Sequence, residues 1–170
     1  CSFLGTDVGL RFKSTRGRGG VVENIWIENI YMTDIPTEPL LFDLFYSGKS
    51  AVEDLEEGRS ESTGLPAVTK ETPSFRNISI RNVSCKGARR AMFFNGLPEM
   101  RIKDIYVENV IISSKFGAEL LQTESVTLKN VQIYPEQGPA ITLANSNNVS
   151  VDGKELPKIE GKPYLIENGK

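Results

Sequence analysis

The stretch Asn24-Ile25-Trp26-Ile27-Glu28-Asn29 decides the fold, because the chain repeats it. It returns as Asn77-Ile78-Ser79-Ile80-Arg81-Asn82, as Asp104-Ile105-Tyr106-Val107-Glu108-Asn109 and as Ser125-Val126-Thr127-Leu128-Lys129-Asn130. Asn148-Val149-Ser150-Val151-Asp152 is a shortened last copy. The template reads polar, apolar, variable, apolar, variable, Asn, with start-to-start spacings of 53, 27, 21 and 23 residues. Alternation with period two describes a short strand with two inward residues. A fixed return of such strands describes a solenoid, in which stacking neighbours bury a continuous core.

A second, offset strand is predicted after each full copy. These are Leu40 to Tyr46, Ala91 to Asn95, Ala118 to Gln122 and Ala140 to Ala144. Two or more strands per repeat, with no amphipathic helix of useful length, predict a right-handed parallel β-helix. The leucine-rich-repeat pattern does not fit. The recurrent Asn29, Asn82, Asn109 and Asn130 are expected at turns, because Asn tolerates left-handed backbone and can hydrogen-bond the next coil. Asn77, Asn82 and Asn148 also head glycosylation sequons, but their coincidence with the repeat favours turn asparagines.

The 53-residue spacing holds an inserted loop over 47–74, acidic and polar at Glu53, Asp54, Glu56 and Glu57. It is expected to leave the solenoid as a mobile, solvated excursion. Residues 153–170 depart from the repeat and are expected to cap it.

Upstream, Leu10-Arg11-Phe12-Lys13 alternates and then breaks into Ser14-Thr15-Arg16-Gly17-Arg18-Gly19-Gly20. Leu10 and Phe12 are expected inward, with Arg11 and Lys13 side by side on the outer face. Two such cations suit an anionic ligand. They equally suit a solvated basic edge that discourages sheet aggregation.

Composition removes several chemistries. With no histidine among 170 residues, Ser-His-Asp and Cys-His nucleophiles and the usual zinc sites are absent. A net charge of −2 lacks the basic excess of a general nucleic-acid binder. No apolar run is long enough to predict a membrane span. Cys1 and Cys85 are too few for a disulfide framework and are expected as small buried thiols. Starting at Cys1 within an apolar run, the chain is expected to be part of a longer protein whose compartment it does not reveal.

Arg11-Phe12-Lys13, the glycine turn after it and the β-helix repeat resemble the Arg-Ile-Lys region of the family 28 glycoside hydrolases. These are the polygalacturonases and related pectin hydrolases. The longer string Gly5 to Gly20 is similar to the form in bacterial and plant members. Tyr46 falls where the family carries a functional tyrosine, about 35 positions after the motif arginine. The resemblance implies the C-terminal part of a pectin-lyase-like solenoid, missing the N-terminal half, in an enzyme that needs no cofactor and acts outside the cell or in the periplasm. It implies inverting hydrolysis of galacturonate polymers by a general acid and a water-activating base. Arg11 and Lys13 resemble the pair that holds a uronate carboxylate, and Tyr46 the residue against the sugar. Arg16 and Arg18 are further candidates, with charged turn residues as the other reading. The family's Asn-Thr-Asp, Asp-Asp and Gly-His-Gly motifs lie upstream and are not matched here. No catalytic residue is therefore assigned, and Asp7 reads as a turn aspartate. The partner implied is acidic polysaccharide, with no nucleic acid and no membrane, and with self-association through an open solenoid end. A non-catalytic polysaccharide-binding β-helix, a purely structural solenoid and a calcium-using pectate lyase-like β-helix are the other readings.

Overall fold

The computed structural model describes residues 1–45 and 65–167. Among these residues there is no helix. The strands are β1 (Ser2–Leu4), β2 (Leu10–Lys13), β3 (Val21–Ile35), β4 (Leu40–Asp43), β5 (Ser74–Asn95), β6 (Ile102–Leu121), β7 (Thr123–Ala144), β8 (Asn147–Val151), β9 (Lys154–Glu155) and β10 (Tyr164–Ile166). Pairing is parallel along β1-β3-β5-β6-β7-β8, and β2 pairs β4, which pairs β5. This is a partial parallel β-helix, as the repeat predicts.

The repeat's inward positions stack in register. Ile25, Ile78, Ile105, Val126 and Val149 form one column. Ile27, Ile80, Val107, Leu128 and Val151 form the next. A third runs through Phe12, Phe42, Phe94, Leu120 and Leu143. Phe12 stacks on Phe42 at 4.5 Å between ring centroids, Phe94 follows at 4.6 Å, and Phe75 meets Phe42 edge-on at 6.3 Å. Offset and edge-on contacts of this kind add to plain area burial.

β3, β5, β6 and β7 are longer than expected, because each bend is a single residue inside a continuing ladder, whereas β4 stops at Asp43, short of the strand expected from Leu40 to Tyr46. The trailing Asn29, Asn82, Asn109 and Asn130 all have φ between 50° and 60°. So do the leading Asn77 and Asn148, read from the sequence as turn asparagines, and Asn24, Asp104 and Ser125, which the sequence reading did not single out, all within 50° to 59°. Asn, Asp and Ser at these places provide bends that β-branched residues resist.

The trailing asparagines also hydrogen-bond from coil to coil. Asn82 Nδ2 donates to Asn29 Oδ1 at 3.1 Å, Asn109 to Asn82 at 3.2 Å and Asn130 to Asn109 at 2.9 Å. The backbone N–H of Asn130 donates to Asp152 at 2.7 Å. Asp152 and Gly153, with φ of 49° and 80°, make the tight turn into β9.

The last coil changes pairing sense. β9 runs antiparallel to β8, and β10 antiparallel to the end of β7, at Leu143, Thr142 and Ile141. Of the two cysteines, Cys85 is buried as expected, whereas Cys1 is exposed, because β1 is the outermost strand at its end of the stack. Burial, then the charge of Asp34, pushes the Cys85 thiol up to about 11, so it carries no thiolate at neutral pH.

Candidate functional site

β2 is held to the stack by full register with β4: Leu10 opposite Leu40, Arg11 opposite Leu41, Phe12 opposite Phe42 and Lys13 opposite Asp43. Leu10 and Phe12 pack against the core, while Arg11 and Lys13 are exposed. Both cations thus stand on the outer face of one short strand, about 7 Å apart along it.

Asp43 was not singled out from the sequence, yet it lies beside Lys13 on the next coil. Its Oδ1 accepts from the Phe45 N–H at 2.9 Å and from Asn95 Nδ2 at 3.0 Å. It therefore fixes the chain leaving β4, immediately before Tyr46. Tyr46 itself lies outside the described residues, as does the acidic middle of the insertion.

The glycine-rich turn after β2 is pinned on two sides. Ser14 N–H donates to the Asp43 carbonyl at 2.9 Å, and Gly17 N–H to the Glu71 carbonyl at 3.0 Å. Gly19 has φ of 62°, and a Cβ there would lie 2.2 Å from the Lys70 carbonyl oxygen. Only glycine meets both demands. The return arm of the insertion, at Lys70 and Glu71, thus packs against the turn that follows the basic strand.

Arg16 and Arg18 are exposed on this turn. The Arg16 Nε and Nη2 donate to the two carboxylate oxygens of Glu99 at 2.6 and 2.9 Å, and its guanidinium carbon sits 5.2 Å from the Phe45 ring centroid. The Glu99 side chain is 3% exposed. Burial pushes the Glu99 carboxyl up, but the hydrogen bond and charge of Arg16, with a backbone hydrogen bond, hold it below the ordinary range. Those two nitrogens of Arg16 are thereby committed to shaping the turn. Glu99 carries no repeat signature, and sequence alone gave no sign of it.

A second cluster lies farther along the same sheet. Arg90 donates from Nη2 and Nε to Glu38 at 2.6 and 3.1 Å, and from Nη1 to Glu119 at 3.1 Å. Its guanidinium carbon lies 3.7 Å from the Phe93 ring centroid. No group of three or more His, Cys, Asp or Glu among the described residues is arranged to hold a metal ion.

A curated polygalacturonase from Ralstonia solanacearum is 32% identical to this chain over 117 residues. The likeness is distant and partial. It covers 65% of this chain and 18% of the relative, so the chain corresponds to a small part of that protein's length. No family model and no solved structure matches. Together with the parallel β-helix, the match supports a family 28-like relationship.

Proposed function

We propose that this chain is the substrate-holding portion of a polygalacturonase-like enzyme acting on galacturonate-containing pectin. The observation that carries the reading is the pair Arg11 and Lys13, exposed together on β2 beside a turn that only glycine can make. Arg11 can bind a uronate carboxylate through two parallel N–H donors, and Lys13 adds a compact charge. Tyr46, at the family's spacing after the motif arginine, is proposed as a contact to the sugar. Arg18 stands on the same turn as a further cation. Arg16 serves it chiefly by holding the turn through Glu99. In the sequence, 47–74 interrupt the repeat as an insertion, and 153–170 are read as the cap that ends it.

In the intact enzyme the bond would break with inversion, one carboxylic acid protonating the leaving oxygen and one carboxylate activating water. We assign neither role within this chain, so its part is orientation of the substrate. The enzyme would act as a secreted or periplasmic protein.

The test is calorimetric titration of the 170-residue chain with de-esterified oligogalacturonate. Arg11→Ala and Lys13→Ala should each weaken binding about tenfold or more, the scale of a lost charge-assisted hydrogen bond. Unchanged affinity in both variants overturns the reading. The same chain should release no reducing ends from polygalacturonate. Turnover without added protein would place the acid and base within it.

A further inference from the structure

The sheet that carries Arg11 and Lys13 changes character along the stack. Register places Leu41, Phe93, Glu119 and Thr142 in line with Arg11. It places Asp43, Asn95, Leu121 and Ala144 in line with Lys13. In these two columns both cations sit on the first coil, and both carboxylates on later coils. Neighbouring coils lie about 4.8 Å apart, so Phe93 is about 10 Å from the Arg11 strand.

Arg90 brings a positive charge over the third coil, but three of its nitrogens are taken by Glu38 and Glu119 and its plane covers Phe93. The three charged groups sum to one negative charge. A uronate settling over Phe93 would face Glu119 and would have to draw Arg90 away from Glu38. The Glu38 side chain is 8% exposed, and a buried carboxylate stripped of its cation is strongly disfavoured. An uncharged sugar meets no such conflict. Its apolar face can lie on Leu41 and the Phe93–Arg90 layer, and its hydroxyls can donate to Glu119, a charge-assisted bond.

Resting on the uronate site proposed above, we infer that this face has two zones. A carboxylate is held at Arg11 and Lys13, and an uncharged sugar residue lies over Leu41, Phe93 and Glu119. Either a methyl-esterified uronate or a neutral sugar supplies that chemistry. The preferred polysaccharide is therefore a mixed one, with charged and uncharged residues in one chain.

Three oligomers of equal length distinguish the cases by titration into the 170-residue chain. One is fully de-esterified oligogalacturonate, one is half methyl-esterified, and one alternates galacturonate with rhamnose. At least one mixed oligomer should bind about fivefold tighter than the de-esterified one, the scale of a single close charge repulsion in water. Which one does so identifies the source of the uncharged residue. Glu119→Gln, which keeps shape and removes charge, should narrow the preference to about twofold or less. The wild-type preference decides the matter even where that variant folds poorly. Equal or tighter binding of the de-esterified oligomer, still lost in Arg11→Ala, overturns the two zones and leaves the uronate site standing. Binding indifferent to Arg11→Ala, or none at all, overturns both.

Discussion

Arg16 clasps both carboxylate oxygens of Glu99, at 2.6 and 2.9 Å, joining the glycine-rich turn to a loop 83 residues farther along the chain. The partners differ in exposure, 40% for the Arg16 side chain and 3% for Glu99. Removing the cation therefore leaves the more buried member alone.

The first prediction concerns pH. The Glu99 carboxyl is held low in the folded chain, with burial opposed and outweighed by Arg16. Unfolded, it titrates near about 4.3. Its contribution is fully present above that value and is lost as pH falls through the lower folded value. Melting temperature should therefore drop below about pH 4.5 more steeply in the wild type than in Glu99→Gln. At neutral pH the variant should be less stable by about 1–2 kcal/mol, discounted for the half-exposed Arg16. Parallel pH profiles for the two proteins would refute the assignment.

Asn82 sits mid-way in the trailing ladder, with φ of 53° and amide hydrogen bonds to Asn29 and Asn109. Asn82→Ala should cost about 2 kcal/mol, half from the hydrogen bonds and half from the left-handed backbone. Asn82→Gly keeps the bend and should cost about half as much. Urea unfolding of the two variants separates the contributions. Equal losses would show that the bend carries no strain.

Phe42 is fully buried between Phe12 and Phe94, with Phe75 against its edge. Phe42→Ala should destabilise by about 3–5 kcal/mol. Since Phe12 lies between Arg11 and Lys13, the cavity should also loosen β2. Oligogalacturonate affinity should then fall although no charged group is altered, which titration below the melting point would register.

Gly19→Ala tests the turn itself. The new methyl would enter the Lys70 carbonyl at an unfavourable φ. The expected loss exceeds about 1 kcal/mol and should reduce ligand affinity with every charge intact. A variant of wild-type stability would show that the return arm moves aside freely.

Most of the solenoid is legible because its signal is periodic. Ile25, Ile78, Ile105, Val126 and Val149 repeat a local pattern, and local patterns define columns once coils stack. The bends at Asn29, Asn82, Asn109 and Asn130 follow from the same repeat. Those at Asp104 and Ser125 were missed, because these residues adopt many conformations and their chemistry alone does not single out left-handed backbone. Arg11 and Lys13 were legible by alternation within one strand. Asp43 beside Lys13 was not, since the loop between coils hides their offset. Glu99 and the Glu38, Arg90 and Glu119 cluster bring together groups dozens of residues apart without any shared motif. Such pairings depend on where each coil places its corners, which composition does not encode.

The asparagine seam has a direction. Asn82, Asn109 and Asn130 each donate from Nδ2 toward the preceding coil and accept at Oδ1 from the following coil or, for Asn130, from Gln132 at 3.2 Å. The amide dipoles are therefore aligned head to tail along the solenoid axis, and each hydrogen bond polarises the next. Replacing an interior rung disconnects the groups on both sides of it. Loss of order along this edge should thus spread as a length of seam rather than stay at one coil.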